Sequence, residues 1–222
     1  MAALMELSGV TKTFRSEPPV RPLDGLSLRV DAGQVVAVTG VSGKGKSTLL
    51  NVMGGLLKPD AGSILFKGED VCRATSARLD ALHRQGIGFV FQSPYLFQAL
   101  TARENLVFAR KAAGARVDEE RVDAALERFG LADRADHLPC ELSVGQKRRL
   151  VVARALLAGH EVILADEPTN DLDGAWSDCV FRHFREFAEE GSRAVVVVTH
   201  DETYARLADA VYELDGGALH RR

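Results

Sequence analysis

The segment Gly40-Val-Ser-Gly-Lys-Gly-Lys-Ser-Thr48 carries the spacing G-x-x-x-x-G-K-[ST]. Its chemistry is the holding of a polyphosphate. Gly40, Gly43 and Gly45, with Ser42 between them, let successive backbone N–H groups close around anionic oxygens. Lys46 would reach the β- and γ-phosphates of a nucleotide, Ser47 would hold Mg²⁺, and Thr48 would contact the α/β-phosphates. Lys44 has two readings: added charge beside the phosphates, or a side chain turned to solvent. Solvent is favoured, because the loop already contains its lysine. The motif needs a strand before it and a helix after it, whose dipole adds positive potential. Val35–Thr39 and the apolar stretch Leu49–Leu57 supply both.

A second chemical group follows the apolar run Glu161-Val-Ile-Leu-Ala165, which delivers Asp166-Glu167-Pro168-Thr169. Two acids at the carboxyl end of a buried strand stand where ligands of α/β sheets bind. Asp166 would bind Mg²⁺ through water, and Glu167 would act as general base on an attacking water.

The elements that must position these groups show in the pattern. Short β-branched runs alternate with helical segments, which predicts an α/β fold with a mainly parallel sheet. Val35–Thr39, Val162–Ala165 and Ala194–Thr199 are almost wholly apolar, as strands covered on both faces should be. Leu4–Val10, Leu26–Val30 and Ser63–Phe66 predict a smaller antiparallel sheet. Thr101-Ala-Arg-Glu104 and Ser143-Val-Gly-Gln146 fit capping boxes, and Asp118 caps a helix over Glu119–Phe129 that stops at Gly130. Residues from about 93 to 158 read as a helical lobe inserted between two halves of the sheet. One domain over 1–222 is expected.

Composition excludes other classes. The 222 residues hold 28 basic and 31 acidic side chains, net −3, so a strongly basic nucleic-acid surface is not indicated and no nucleic-acid partner is expected. Cys72, Cys140 and Cys179 lie far apart with no paired spacing, which fits a reducing compartment and cysteines serving as inert packing residues. The N-terminal stretch lacks a basic start and carries Glu6, so no signal peptide is expected. No apolar run approaches the roughly 18 residues that could span a bilayer.

The phosphate loop, Leu142-Ser-Val-Gly-Gln146 and Ala165-Asp-Glu-Pro-Thr-Asn-Asp-Leu-Asp173, in that order, resemble the ABC transporter ATPases across essentially the whole chain. The resemblance implies a RecA-like P-loop NTPase core, ATP and Mg²⁺ as ligands, and ATP hydrolysis. It further implies a homodimer that forms on ATP binding, in which Ser143 and Gly145 of one copy, with Gln146 beside them, cap the γ-phosphate held by the other. A helix N-terminus at Ser143 suits an anion, though an ordinary N-cap would look the same. Gln92 matches the glutamine that senses Mg²⁺ and the attacking water, and His200 the histidine that bonds the γ-phosphate. Asp173 matches an acid that communicates across the dimer. Phe14 matches the aromatic residue that stacks on adenine, with a core phenylalanine as the competing reading.

Val144 stands where the family usually has glycine. A β-branched residue disfavours φ > 0, so an ordinary backbone and retained hydrolysis are expected here. Leu49–Leu56, Ile87–Gln92 and Leu100–Asn105 resemble the lipoprotein-release and macrolide-export branch, from which Lys147-Arg-Arg149 departs. That branch implies a separate integral membrane permease subunit, export or lipoprotein extraction, and a place on the cytoplasmic face of the inner membrane. The alternative is a regulatory ATPase of a cell-division complex that transports nothing. The apolar loop Pro94-Tyr-Leu-Phe97 reads either as a groove for the partner or as a local packing cluster.

Overall fold

The computed structural model describes residues 3–222. Two sheets organise them. β1 (Ala3–Phe14), β2 (Val20–Asp31), β4 (Ala61–Phe66) and β5 (Glu69–Asp70) form an antiparallel sheet ordered β2-β1-β4-β5. The larger sheet is ordered β10-β9-β3-β8-β7-β6. It comprises β3 (Val35–Thr39), β6 (Ile87–Val90), β7 (Val162–Asp166), β8 (Ala194–Val198), β9 (Ala210–Asp215) and β10 (Ala218–Arg221). All its pairs are parallel except the β9–β10 hairpin.

Strand alternation divides the core. Val36, Val38, Val162, Leu164, Val196 and Val198 pack with the smaller sheet and α1 (Lys46–Met53). The opposite set, Val35, Ile163, Ala165, Val195 and Val197, packs against helices. Those helices are α3 (Ala102–Ala112), α4 (Glu119–Arg128), α5 (Val144–Ala158) and α6 (Gly174–Glu189). β3, β7 and β8 are buried throughout, and each such Val or Ile contributes about 1.5–3 kcal/mol relative to exposure. α2 (Ser76–Gln85) and α7 (Glu202–Ala205) complete the helices of the described residues.

Both expected capping boxes are present, at Thr101/Glu104 and Ser143/Gln146, and Asp118 caps α4. Several boundaries differ from the sequence reading. The helix after the phosphate loop begins at Lys46 rather than Leu49 and ends at Met53 rather than Leu57. Gly45 at φ 103° turns the chain directly into the helix, and Gly55 at φ 72° ends it, with the Leu56 and Leu57 amides folding back onto the Asn51 carbonyl. Cys140 is exposed, contrary to a packing role, because its short 3₁₀ turn lies on the surface; Cys179 is buried as expected.

Candidate nucleotide site

The order β3-β8-β7-β6 brings the carboxyl ends of four strands together. The phosphate loop follows β3, His200 follows β8, Asp166 and Glu167 end β7, and Gln92 follows β6. A cavity of about 280 Å³ opens there. Phe14, Ser42, Gly43, Gly45, Lys46, Ser47, Thr48, Gln92, Asp166 and Glu167 line it, together with Val20 and Pro22.

Backbone sterics explain two of the loop glycines. A Cβ on Gly40 would lie 2.7 Å from the Leu214 carbonyl oxygen. At Gly45, which has positive φ, it would lie 2.6 Å from Pro22 Cβ. Lys46 is buried and its ammonium donates to the Gly40 carbonyl at 2.6 Å. Lys44 is exposed, as are Ser42 and Ser47 in the same motif.

The acids form a linked group. Glu167 is 7% exposed, with Oε1 at 3.9 Å from Lys46 Nζ. Its Oε2 accepts from the His200 backbone N–H at 3.3 Å and lies 3.0 Å from His200 Nδ1, which donates in the matching tautomer. His200 thus bonds the neighbouring acid, whereas the sequence reading joined it only to a phosphate. Burial pushes the Asp166 carboxyl above its ordinary range and Glu167 adds to that; a hydrogen bond from Ser47 and the charges of Lys46 and Arg148 pull the other way.

The donors fit Mg²⁺. The Ser47 hydroxyl, the Asp166 carboxylate and the Gln92 amide are hard oxygen groups, and Mg²⁺ is commonly bound through one or two carboxylates with substrate phosphate and several waters completing the shell. Among the described residues no three His, Cys, Asp or Glu side chains converge on one point, so substrate oxygens would supply the remainder.

Phe14 is 41% exposed at the cavity wall, so the core-phenylalanine reading does not hold. Gly40, Lys44, Ser143, Gly145, Gln146, Asp173 and His200 are not in the cavity lining, though His200 reaches it through its bond to Glu167. Ser143 Oγ accepts the Gln146 N–H at 3.2 Å, and the Gln146 side chain returns the bond to Ser143 N–H at 2.8 Å. Val144 occupies the first turn of α5, with its side chain 56% exposed, so its backbone is ordinary as expected. Asp173 caps α6 by accepting from Trp176 N–H. Sequence reasoning missed Arg148, a buried guanidinium beside Gln92. Three consecutive basic residues signal a surface, and only its neighbours' carbonyls explain its burial.

Beyond Gln92 lies a mostly apolar groove of about 390 Å³ lined by Tyr95, Leu96, Phe97, Phe108, Arg154 and His160, among others. The loop at its rim divides: Leu96 is buried, whereas Tyr95 and Phe97 are 65% and 45% exposed. Fully buried Asn105 pins this loop, accepting from Phe97 N–H and donating to the carbonyls of Phe97, Leu100 and Thr101.

A glycine-rich strand–loop–helix cradle after β3, facing acids at the end of β7 with β8 between them, defines a P-loop nucleotide-binding core. Residues 23–170 match the family described as ABC transporter, and the chain belongs to that family. It is 40% identical over 223 residues to a macrolide export ATP-binding/permease protein MacB of Shewanella sp. (strain W3-18-1), covering 98% of this chain and 34% of that one. The protein of the same description from Burkholderia pseudomallei (strain 1710b) is 43% identical over 221 residues, covering 97% and 33%. The chain therefore spans about a third of the length of these curated relatives. The fold is similar to a dimeric ATP-binding cassette solved in a post-hydrolysis state with ADP and Pi. That similarity has a TM-score of 0.89 at 35% identity, covering 98% of this chain and 97% of the other.

Proposed function

We propose that this chain is the ATP-hydrolysing cassette of an export machine, acting as a homodimer that closes on ATP. The observation that carries the reading is the convergence of Lys46, Glu167 and His200 with the glycine cradle at adjacent strand ends. Lys46 exchanges the Gly40 carbonyl for the β- and γ-phosphates. Ser47, Gln92 and, through water, Asp166 would hold Mg²⁺, and the ion would neutralise phosphate charge. Glu167 accepts a proton from water as the water oxygen bonds to the γ-phosphorus. The bond from that phosphorus to the β–γ bridging oxygen breaks, and the electron pair leaves with ADP. His200 holds the Glu167 carboxylate in place through Nδ1–H, and to donate to the γ-phosphate it would have to release that bond or carry a second proton. Phe14 stacks on the base.

Ser143, Gly145 and Gln146 lie outside the cavity, so on this reading they serve the nucleotide of the second copy, with Asp173 beside that interface. The dimeric form of the solved relatives supports this. Among the described residues no helix is long and apolar enough to cross a membrane. The relatives' description as ATP-binding/permease proteins supports coupling to a permease. Exposed Tyr95 and Phe97 at the rim of an apolar groove support docking there, which would put the chain on the cytoplasmic face of the membrane. The purified chain should release phosphate from ATP in the presence of Mg²⁺. Lys46→Ala should bind nucleotide poorly in a fluorescent-ATP titration. Unchanged affinity in that variant would defeat the reading.

A further inference from the structure

Arg148 stands in α5, one turn beyond Ser143, and is 2% exposed. Its guanidinium spends its donors on two separate loops. Nη1 donates to the Phe91 carbonyl at 3.0 Å and Nη2 to the Gln92 carbonyl. Nε donates to the Asn170 carbonyl at 3.2 Å, and Nη2 lies 3.4 Å from Asp171 Oδ2. The first loop carries Gln92. The second runs on from Glu167, whose carbonyl accepts the Asn170 N–H at 3.2 Å.

The second loop needs holding. Glu167 and Asp171 both occupy the left-handed region, at φ 47° and 68°, although neither is glycine. Such residues persist where their surroundings over-determine them. The start of α5 touches the same place, since a Cβ on Gly145 would lie 3.1 Å from the Asp171 carbonyl oxygen. One rigid fork therefore joins three things: the helix that begins at Ser143, the loop bearing Gln92, and the loop continuing from Glu167. A planar guanidinium with five donors suits this; lysine offers a point charge and glutamine only two donors.

We infer that Arg148 is a positioning residue that fixes Gln92 and Glu167 relative to each other and to the Ser143 end of α5. Arg148 does not line the cavity; it acts through the backbone of the two loops, and the charge it also presents to Asp166 is kept in Arg148→Lys. The inference rests on the hydrolytic reading of the site for its kinetic consequence, but its structural half does not.

The test uses the full chain with Arg148→Met, Arg148→Gln and Arg148→Lys. Turnover is expressed per nucleotide-binding site, counted by titration, so that loss of folded protein is removed from the rate. Displacing catalytic groups by about an ångström costs on the order of 10²-fold. Arg148→Met should therefore lose about 10- to 100-fold in kcat with KM for ATP changed less than about threefold, and should need more Mg²⁺ for half-maximal rate. Arg148→Gln and Arg148→Lys should recover part of the loss. Hydrogen exchange on the nucleotide-free protein should show residues 91–95 and 170–172 losing protection together, with β3 unchanged. A kcat per site within twofold of the parent overturns the inference. So does deprotection of one loop alone, or of the whole chain. If the parent itself does not hydrolyse ATP, the site reading fails, and the exchange result still decides whether Arg148 ties the loops.

Discussion

Replacing Glu167 with glutamine removes a proton acceptor while barely changing the shape of the side chain. The carboxylate is buried, with one oxygen 3.0 Å from His200 Nδ1 and the other 3.9 Å from Lys46 Nζ. A glutamine amide keeps an acceptor for His200 but cannot take a proton from water. Loss of a positioned general base costs about 10²–10⁴ in rate, or about 2.7–5.5 kcal/mol of transition-state free energy. Binding should move the other way. At 3.9 Å and an effective dielectric near 20, the gross attraction of the carboxylate for Lys46 is about 4 kcal/mol, much of it offset by desolvation. Without that competitor Lys46 is freer to meet phosphate, and a γ-phosphate no longer approaches a second anion. Glu167→Gln should therefore bind ATP at least as tightly as the parent and accumulate as a closed dimer. Phosphate-release kinetics, ATP titration and size-exclusion chromatography with light scattering read the three effects. Turnover within about threefold of the parent would refute the assignment of the base, because the expected effect starts at about 10².

Asp166→Asn tests the environment of the metal site by pH. Since burial raises the Asp166 carboxyl above its ordinary value of 3.8, the folded nucleotide-free protein binds that proton more readily than the unfolded chain. Stability from this group is thus full below the ordinary carboxylate range and falls as pH rises through the raised folded value. The variant should melt at a higher temperature than the parent at neutral pH without nucleotide or Mg²⁺, with the gap closing on acidification; a gap independent of pH would contradict this. Val144→Gly should leave hydrolysis within a few-fold and lower stability by no more than about 1 kcal/mol, since an exposed first-turn residue loses only helix propensity. An inert parent rescued by this change would show that valine blocks the trans contact. A Tyr95→Ala/Phe97→Ala double variant should lose copurification of the permease while binding ATP normally, and undiminished copurification would move docking away from this groove.

The residues legible in the sequence were those whose chemistry restricts their type. A phosphate cradle requires glycines at fixed offsets, so Gly40 to Thr48 announced both the loop and its flanking elements. The buried strands were legible because covering both faces leaves no polar positions. By contrast, β9 reads Ala-Val-Tyr-Glu-Leu-Asp, half-buried and mixed, and α2 has few apolar residues; neither stood out. Contacts between distant segments were invisible. That His200 would bond Glu167, 33 positions away, follows only from β8 lying beside β7. Arg148 and Arg149 are buried because backbone carbonyls await them, at Phe91, Gln92 and Asn170 for one and at Phe129 and Gly130 for the other.

The two acids pose a geometric difficulty that explains the backbone at Glu167. Successive side chains on a strand point to opposite faces. Val162 and Leu164 face the α1 side of the sheet, so Asp166 continues that parity and meets Ser47 at the start of α1. By the same parity Glu167 would join Ile163 and Ala165 and point toward the helices on the other face, away from any phosphate. The strand breaks at that residue instead. Glu167 takes φ 47°, its N–H held by the Val198 carbonyl at 2.9 Å, and its carboxylate turns into the cavity with Asp166. A left-handed non-glycine residue costs about 1–3 kcal/mol. Glycine would avoid that cost, but it has no carboxylate, so strain at this position is inseparable from placing two adjacent acids on one nucleotide.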